Sequence, residues 1–240
     1  MTGKPHDFEE QERGWFRRAL RVVLYAVLAL VLLPLVLVPV YALLNPPLST
    51  LMLGDLLTGK SYERQWVALD DMAPVLSHSV IVSEDAKFCV HRGVDWDAVQ
   101  VAIDQYNAGK EPRGASTIAM QAAKNLFLWP QRSYVRKAIE VPLAHYMDLV
   151  WSKRRLIEIY LNTVEWGDGV YGAEAASQHY FKKSAASLTR RQAALLATAL
   201  PLPVERNPAN PSRKHARLAR IVEKRARQAG QWVACLERGA

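Results

Sequence analysis

The chain has 240 residues, half of them hydrophobic and 22% charged, which allows one ordinary domain plus an appendage and excludes wholesale disorder. Its 31 Lys and Arg against 23 Asp and Glu give a net charge of +8, which points to an anionic partner: nucleic acid, anionic lipid or phosphate. Two cysteines, Cys89 and Cys235, without a CxxC or a Cys/His cluster, exclude a disulfide scaffold and a zinc motif, and leave open a single bridge.

The first element is the most apolar. Val22 to Leu44 is a run of 23 residues without a charge. As a helix it is about 35 Å long, enough to cross a hydrocarbon core of about 30 Å. Pro34 and Pro39 are expected to kink or unwind it locally, which membrane helices tolerate. Tyr25 and Tyr41 stand near its ends, where amphipathic rings favour the interface. A cleaved signal peptide would have a shorter apolar core and a small-residue cleavage site; here the run ends in Leu43-Leu44-Asn45-Pro46-Pro47, so an uncleaved anchor is expected. Arg13, Arg17, Arg18 and Arg21 precede the span and the first charge after it is Asp55, which predicts a cytoplasmic N-terminus. The exported part then carries 26 basic and 19 acidic side chains. Outside the cytoplasm a basic domain does not meet chromosomal DNA, so lipid or another anionic substrate replaces nucleic acid as the expected partner.

Asn45 to Thr50 reads as a Pro-rich linker, and Leu51 to Leu57 as an apolar stretch that is either an extended arm or a surface patch. Gly54 to Ser61 fits the phosphate-loop pattern GxxxxGK[ST], but a Pro-rich segment precedes it and no clear helix follows, so a nucleotide site is not expected. Met72 to Ser83 is helix-like. Helical periodicity then runs through Trp96–Asn107, where Val99, Ile103 and Tyr106 share a face, and through a helix that Ser116 and Thr117 can cap and Pro130 ends. Ser133–Trp151 and Lys153–Leu161 follow, then a glycine-rich turn at Gly167–Gly172, and helices over Glu174–Tyr180, Thr189–Leu200 and Ser212–Gln228. Short strands fit only near Gln65–Ala68 and Thr163–Trp166. The class is mainly α with a little β.

Four segments carry chemistry. In Glu84 to Asp95, a helical reading puts Glu84, Phe88 and His91 on one face, where aromatic packing can raise a carboxyl pKa toward that of a general base or acid. In Gly114 to Asn125, Gln121, Lys124 and Asn125 project together behind a capped helix start, an arrangement that can cradle phosphate. Arg132, Arg136 and Glu140 recur every four residues beside Lys137; two guanidiniums can clamp a diphosphate, or the set can be an ordinary surface ion pair. Lys153 to Asn162 reads as a core stripe of Leu156, Ile159 and Tyr160 with Glu158 and Asn162 on another face. The basic run Ser212 to Arg227 has seven Lys or Arg and a narrow stripe of Leu218, Ile221 and Val222; it suits lipid headgroups and solvent equally. Residues alone reach an anionic, membrane-borne substrate.

These segments, in this order, resemble the peptidoglycan glycosyltransferases of glycosyltransferase family 51. EDxxFxxHxGxD stands at Glu84–Asp95, GxSTIxxQxxKN at Gly114–Asn125, RKxxE at Arg136–Glu140 and KxxxxExYLN at Lys153–Asn162. Gly172 to Lys182 and Ala193 to Pro203 look like the family's following segments, so the resemblance covers roughly residues 60–210. The SxxK and KTG motifs of an appended transpeptidase do not occur, which implies a monofunctional member.

The resemblance implies a lysozyme-like helical domain with a small membrane-facing jaw. It implies polymerisation of lipid II into β-1,4 glycan with inversion, the growing lipid-linked glycan acting as donor and undecaprenyl diphosphate leaving. Glu84 is then the general base and Glu140 the second essential acid. Ser116, Thr117, Gln121, Lys124, Asn125, Arg132, Arg136 and Lys137 bind substrate and steady the diphosphate, and Asp85, Phe88 and His91 shape the loop that presents Glu84. A divalent cation, Mg2+ or Mn2+, at the diphosphate is left open, as are cell-division or bifunctional synthase partners. No role falls to Cys89. The expected organisation is a cytoplasmic tail over 1–21, a transmembrane helix over 22–44, a linker over 45–59, a glycosyltransferase domain over 60–210 and a basic helix over 211–240. The short form implies a Gram-negative inner membrane with the catalytic domain periplasmic. A membrane-anchored muramidase or lytic transglycosylase, and a non-catalytic division scaffold, are the competing readings.

Overall fold

The computed structural model describes residues 5–111, 114–131 and 133–237, with side chains from residue 15 onward. The chain forms two compact units, one ending at Leu44 and the other beginning at Asn45.

The first unit is a single helix, α1 (Pro5–Leu43). Its stretch Trp15–Leu43, 29 residues, is long and apolar enough to cross a membrane, and its leucines and valines are mostly exposed. The helix runs unbroken through Pro34 and Pro39, so neither proline unwinds it.

The second unit is mainly helical, with a three-stranded scrap of sheet. Helix α2 (Thr50–Leu57) replaces the arm or patch expected there: Ser49 caps it by accepting from the Met52 N–H at 3.2 Å, and Met52 is fully buried. Gly54 therefore lies inside a helix, and a strand rather than a helix follows Lys60-Ser61; the phosphate-loop context is absent. The Pro-rich linker is also held in place, because Arg64 donates to the Pro46 and Pro47 carbonyls at 2.8 and 2.6 Å.

Strand β1 (Glu63–Arg64) pairs in parallel with β3 (Val170–Tyr171), which pairs antiparallel with β2 (Glu165–Gly167) through a tight turn at Asp168-Gly169. The strand expected at Gln65–Ala68 is displaced toward the N-terminus. Its backbone is satisfied instead by side chains of one later helix, Lys153–Thr163: Asn162 brackets Val67 through both its amide atoms, and Glu158 accepts from the Leu69 N–H at 3.0 Å.

The helices divide into two packed groups. Helices α3 (Pro74–Glu84), α9 (Arg190–Ala199) and α10 (Arg213–Arg227) form one. Alanines 193, 194, 197 and 199 let α9 approach its neighbours closely, and Thr189 with Gln192 closes a capping box at its start. The face of α10 that enters this group is His215, Ala219 and Val222; Ile221 of the expected stripe stays largely exposed. The second group is α5 (Ile118–Phe127), α6 (Tyr134–Val150) and α7 (Lys153–Thr163), around a core of Ile118, Met120, Met147, Leu156, Ile157 and Tyr160. Helix α8 (Ala173–Phe181) backs the sheet. Helix α4 (Trp96–Asn107) is present as expected, but none of its residues is buried: Trp96 is 63% and Tyr106 69% exposed. Its apolar side is an uncovered surface, of the kind that marks an interaction site.

Cys89 and Cys235 form a disulfide across 146 residues of chain. Residue 89 lies in the irregular segment after α3, and residue 235 in a single helical turn, Ala234–Leu236.

Candidate active site

The site is assembled from the end of α3, the length of α5 and the start of α6. Helix α3 stops at Glu84, and Asp85 leaves helical geometry with φ −157°. Phe88 and His91 therefore do not share a helix face with Glu84, as the spacing predicts. They lie in the turn beyond it. The reason is Asp85. Its carboxylate bridges His91 Nε2 at 2.8 Å and the Ile118 N–H at 3.0 Å, which folds the chain back and occupies a free donor at the start of α5. Phe88 is fully buried beneath this turn.

Gly93 completes the return. It has φ +75°, and a Cβ there would stand 2.5 Å from the Ala144 carbonyl oxygen. Its own carbonyl accepts from the Thr117 hydroxyl at 2.6 Å, and that hydroxyl also accepts from the Met120 N–H to cap α5. Thr117 is thus a structural cap, buried, while neighbouring Ser116 faces the site.

Glu84 is half-buried. Its Oε2 accepts from Gln121 Nε2 at 3.2 Å and its Oε1 from the Ser83 hydroxyl at 3.3 Å. The Tyr160 hydroxyl donates to Gln121 Oε1 at 2.8 Å, so Gln121 is held with its amide N–H toward the carboxylate. Burial raises the Glu84 carboxyl above its ordinary value; the bonds from Gln121 and Ser83 and the charge of Arg206 pull it partly back. A half-desolvated carboxylate with a raised pKa and fixed orientation has the properties of a general base.

One turn along α5, about 4.5 Å up its axis, stands Lys124. Burial lowers its pKa, as does neighbouring Arg136, while Glu140 opposes the shift. Across from it, α6 presents a cluster in place of the ordinary surface pair. Arg136 Nε lies 3.3 Å from Glu140 Oε1, and Lys137 Nζ lies 3.0 Å from Glu140 Oε2 and 2.8 Å from the Ser116 hydroxyl. Arg136 is 8% and Glu140 3% exposed, so this network is buried; Lys137 is the more open of its cations. Arg136 is further fixed by the Trp129 and Pro130 carbonyls. Asn125 is buried, its carbonyl accepting from Thr50; its position is in the core behind Lys124. Arg132 lies outside the described residues. Next to Ser116 and Lys137 opens a cavity of about 690 Å³, walled by Trp96, Val99, Ile103 and Tyr106 of α4.

Sequence reasoning brings Glu84, Gln121, Lys124, Arg136, Lys137 and Glu140 to this one place. It misses four contributors. Tyr160 looks like plain core and is fully buried, yet its hydroxyl orients Gln121. Arg206 carries no periodic signal; it follows α9 in an irregular turn. Glu165, on β2, is a further half-buried carboxyl whose pKa burial raises, and it acts on Lys124. Ser83 precedes the motif. The Lys153–Asn162 segment is structural, as its amphipathic pattern implies: Glu158 and Asn162 hold the 67–69 backbone.

A divalent ion at the diphosphate would be held mainly by the phosphate oxygens. Among the described residues no three His, Cys, Asp or Glu side chains converge, and Glu140 is already engaged by Arg136 and Lys137.

Residues 51–227 match the protein-family profile described as Transglycosylase, which takes in every element from α2 to α10. The chain belongs to the transglycosylase family. Its relatives include proteins named biosynthetic peptidoglycan transglycosylase from Rhizobium leguminosarum bv. trifolii, 53% identical over 93% of this chain and 97% of that protein. Those from Agrobacterium fabrum and Mesorhizobium japonicum are 53% and 54% identical, over 92% and 94% of this chain and 98% and 94% of their own lengths. The transglycosylase fold of this chain is therefore the mainly helical unit described above, with one N-terminal helix able to act as a membrane anchor.

Proposed function

We propose that the chain is a peptidoglycan glycosyltransferase of cell wall synthesis that polymerises lipid II, with Glu84 as the base. The observation that carries this is the pairing, on opposite sides of α5, of a desolvated carboxylate at the end of α3 with a buried cationic cluster at the start of α6. An alcohol nucleophile needs a base, and a diphosphate leaving group needs fixed positive charge. Glu84 takes the proton from the 4-hydroxyl of the acceptor sugar as that oxygen attacks the anomeric carbon of the growing chain. The anomeric centre inverts, giving a β-1,4 link, and the lipid diphosphate departs. Lys124, Arg136 and Lys137 take up its charge, and Glu140 holds two of these cations in register. Ser116 stands on Lys137 and Gln121 on Glu84, and Arg132 belongs with the cations by its motif position. Asp85, Phe88 and His91 set the turn that fixes Glu84; Thr117 caps α5, and the Asn125 carbonyl accepts from Thr50.

The competing muramidase reading also uses a glutamate, but it has no need of a cationic cluster beside it. For the domain organisation we keep the division of the sequence reading as a proposal: tail 1–21, span 22–44, a linker or membrane-proximal segment 45–59, transferase 60–210 and a basic C-terminal segment 211–240 that contains α10. The span carries the enzyme to its lipid-linked substrates in the cytoplasmic membrane, and Arg13, Arg17, Arg18 and Arg21 keep its N-terminus in the cytoplasm. The Cys89–Cys235 bond supports an exported domain, because such bonds persist in oxidising compartments.

The test is purified full-length protein in detergent with labelled lipid II. Consumption of lipid II into polymer that lysozyme digests is the expected result. Cleavage of preformed glycan without polymer would replace the transferase by a muramidase, and inactivity on both would favour a scaffold. Alkaline phosphatase fused after residue 237 should be active in cells, and fused before residue 5 inactive; the reverse pattern would invert the topology.

A further inference from the structure

We infer that the Cys89–Cys235 disulfide is a positioning element of the transfer reaction, so that turnover depends on this bond being oxidised. The inference rests on Glu84 being the base.

The turn after Glu84 has no regular secondary structure to hold it. From Asp85 to Asp95 its only backbone ladder is an isolated bridge between Arg92 and Val94. Its outer limb faces solvent, with Val90 67% exposed. Its inner limb, however, does work for the site. Asp85 joins His91 to the first N–H of α5, α5 carries Gln121, and Gln121 holds Glu84. Movement of the turn is therefore passed to the base through three hydrogen bonds. Cys89 sits between the two limbs, next to the buried Phe88.

The other end of the bond is firmly anchored. Val233 and Leu236 are buried, and the Leu236 carbonyl accepts from Arg154 Nη1, while Arg154 Nη2 lies 2.6 Å from Asp70. The neighbouring residue, Lys153, grips the turn: its ammonium donates to the His91 carbonyl at 2.8 Å, pairs with the buried Asp148 at 2.5 Å, and lies 4.8 Å from the centre of the Phe88 ring. Two consecutive residues at the start of α7 thus hold the two segments that the disulfide joins: Lys153 through the His91 carbonyl and Arg154 through the Leu236 carbonyl. The bond closes this triangle and ties the exposed side of the turn to a fixed point. Lys153 secures the inner limb through one carbonyl; the disulfide is the covalent constraint on the outer one.

The experiment uses the full-length chain in detergent with labelled lipid II. Dithiothreitol supplies two electrons and two protons, its own thiols closing to a cyclic disulfide as the protein's bond opens to two thiols. A Cys89→Ser/Cys235→Ser double variant carries the same change without reductant. Reduction of the wild type should lower kcat roughly tenfold with KM within about twofold, because the cations on α5 and α6 do not touch the turn. Activity should return on reoxidation with glutathione disulfide. The double variant should start low and ignore reductant. Hydrogen exchange should quicken in residues 85–95 while α9 stays protected, which a purely global loss of stability would not produce. Unchanged kcat in both the reduced wild type and the double variant would overturn the inference. So would a loss of activity that tracks a loss of helical circular dichroism. Absence of polymer from the oxidised wild type would overturn the transferase reading, and this inference with it.

Discussion

Glu84 works, on this account, because its surroundings disagree about its charge. Burial disfavours the carboxylate, and two hydrogen bonds and Arg206 favour it. The net direction is upward, so the base becomes ionised only above the usual carboxylate range, and kcat/KM should rise through that raised pKa as pH increases. Gln121→Met keeps the burial and removes a bond that favours the charged form. Its acid limb should therefore move to higher pH than that of the wild type, and a limb displaced to lower pH would contradict the assignment. The motif residues around Glu84 were legible in the sequence because each has a fixed spacing from the next. Tyr160 was legible as core only. Its hydroxyl meets a side chain 39 residues away, and no local pattern reports which way a buried hydroxyl points. Arg136 and Glu140 show the converse. Spacing places them on one helix face, but whether that face is wet or buried is decided by what packs over it, here α5 and the 129–130 carbonyls.

At the level of elements, the turn from Glu84 to Asp95 is the part that periodicity misreads. A run of plausible helix formers continues past Glu84, yet Asp85 reaches across to cap α5, and tertiary structure overrides the local pattern. The single strongest local constraint is Gly93, whose positive φ and 2.5 Å approach to Ala144 leave no room for a methyl group. Gly93→Ala should cost at least about 2 kcal/mol, seen as a Tm lower by roughly 5 °C or more. Gly109→Ala is the control. It has φ +67° but open space around it, so it carries the backbone strain without the clash. Equal losses at the two positions would mean that the close approach at Gly93 is unimportant. The strand forecast at Gln65–Ala68 fails for a related reason: Asn162 and Glu158 supply the partners that a neighbouring strand would have supplied. Helices α4 to α10, by contrast, fall within a few residues of where caps, prolines and periodicity put them.

The whole molecule combines an apolar N-terminal helix with a transglycosylase unit whose bare α4 surface opens beside the cationic cluster. Such a surface suits a substrate that is anionic at one end and prenyl at the other. The long apolar helix was plain from 23 uncharged residues, and the disulfide was not, because pairing depends on the approach of two segments 146 residues apart. Closing so long a loop removes unfolded-state entropy worth up to about 5 kcal/mol, although measured effects centre nearer 2–4 kcal/mol. Reduction should thus lower Tm by roughly 5–15 °C while leaving the chain folded at 25 °C, as read by circular dichroism against temperature. An unchanged Tm would show that the bond does not constrain the unfolded chain.

The most direct measurement is polymer formation from labelled lipid II by Glu84→Gln beside the wild type, each checked for intact helical content. Glutamine keeps the size of the side chain and can still hydrogen-bond Ser83 and Gln121, but it cannot accept a proton. The account predicts a folded variant that binds lipid II and makes polymer at least about 10²-fold more slowly. Polymer at the wild-type rate would contradict Glu84 as the base, and with it the central claim about this site.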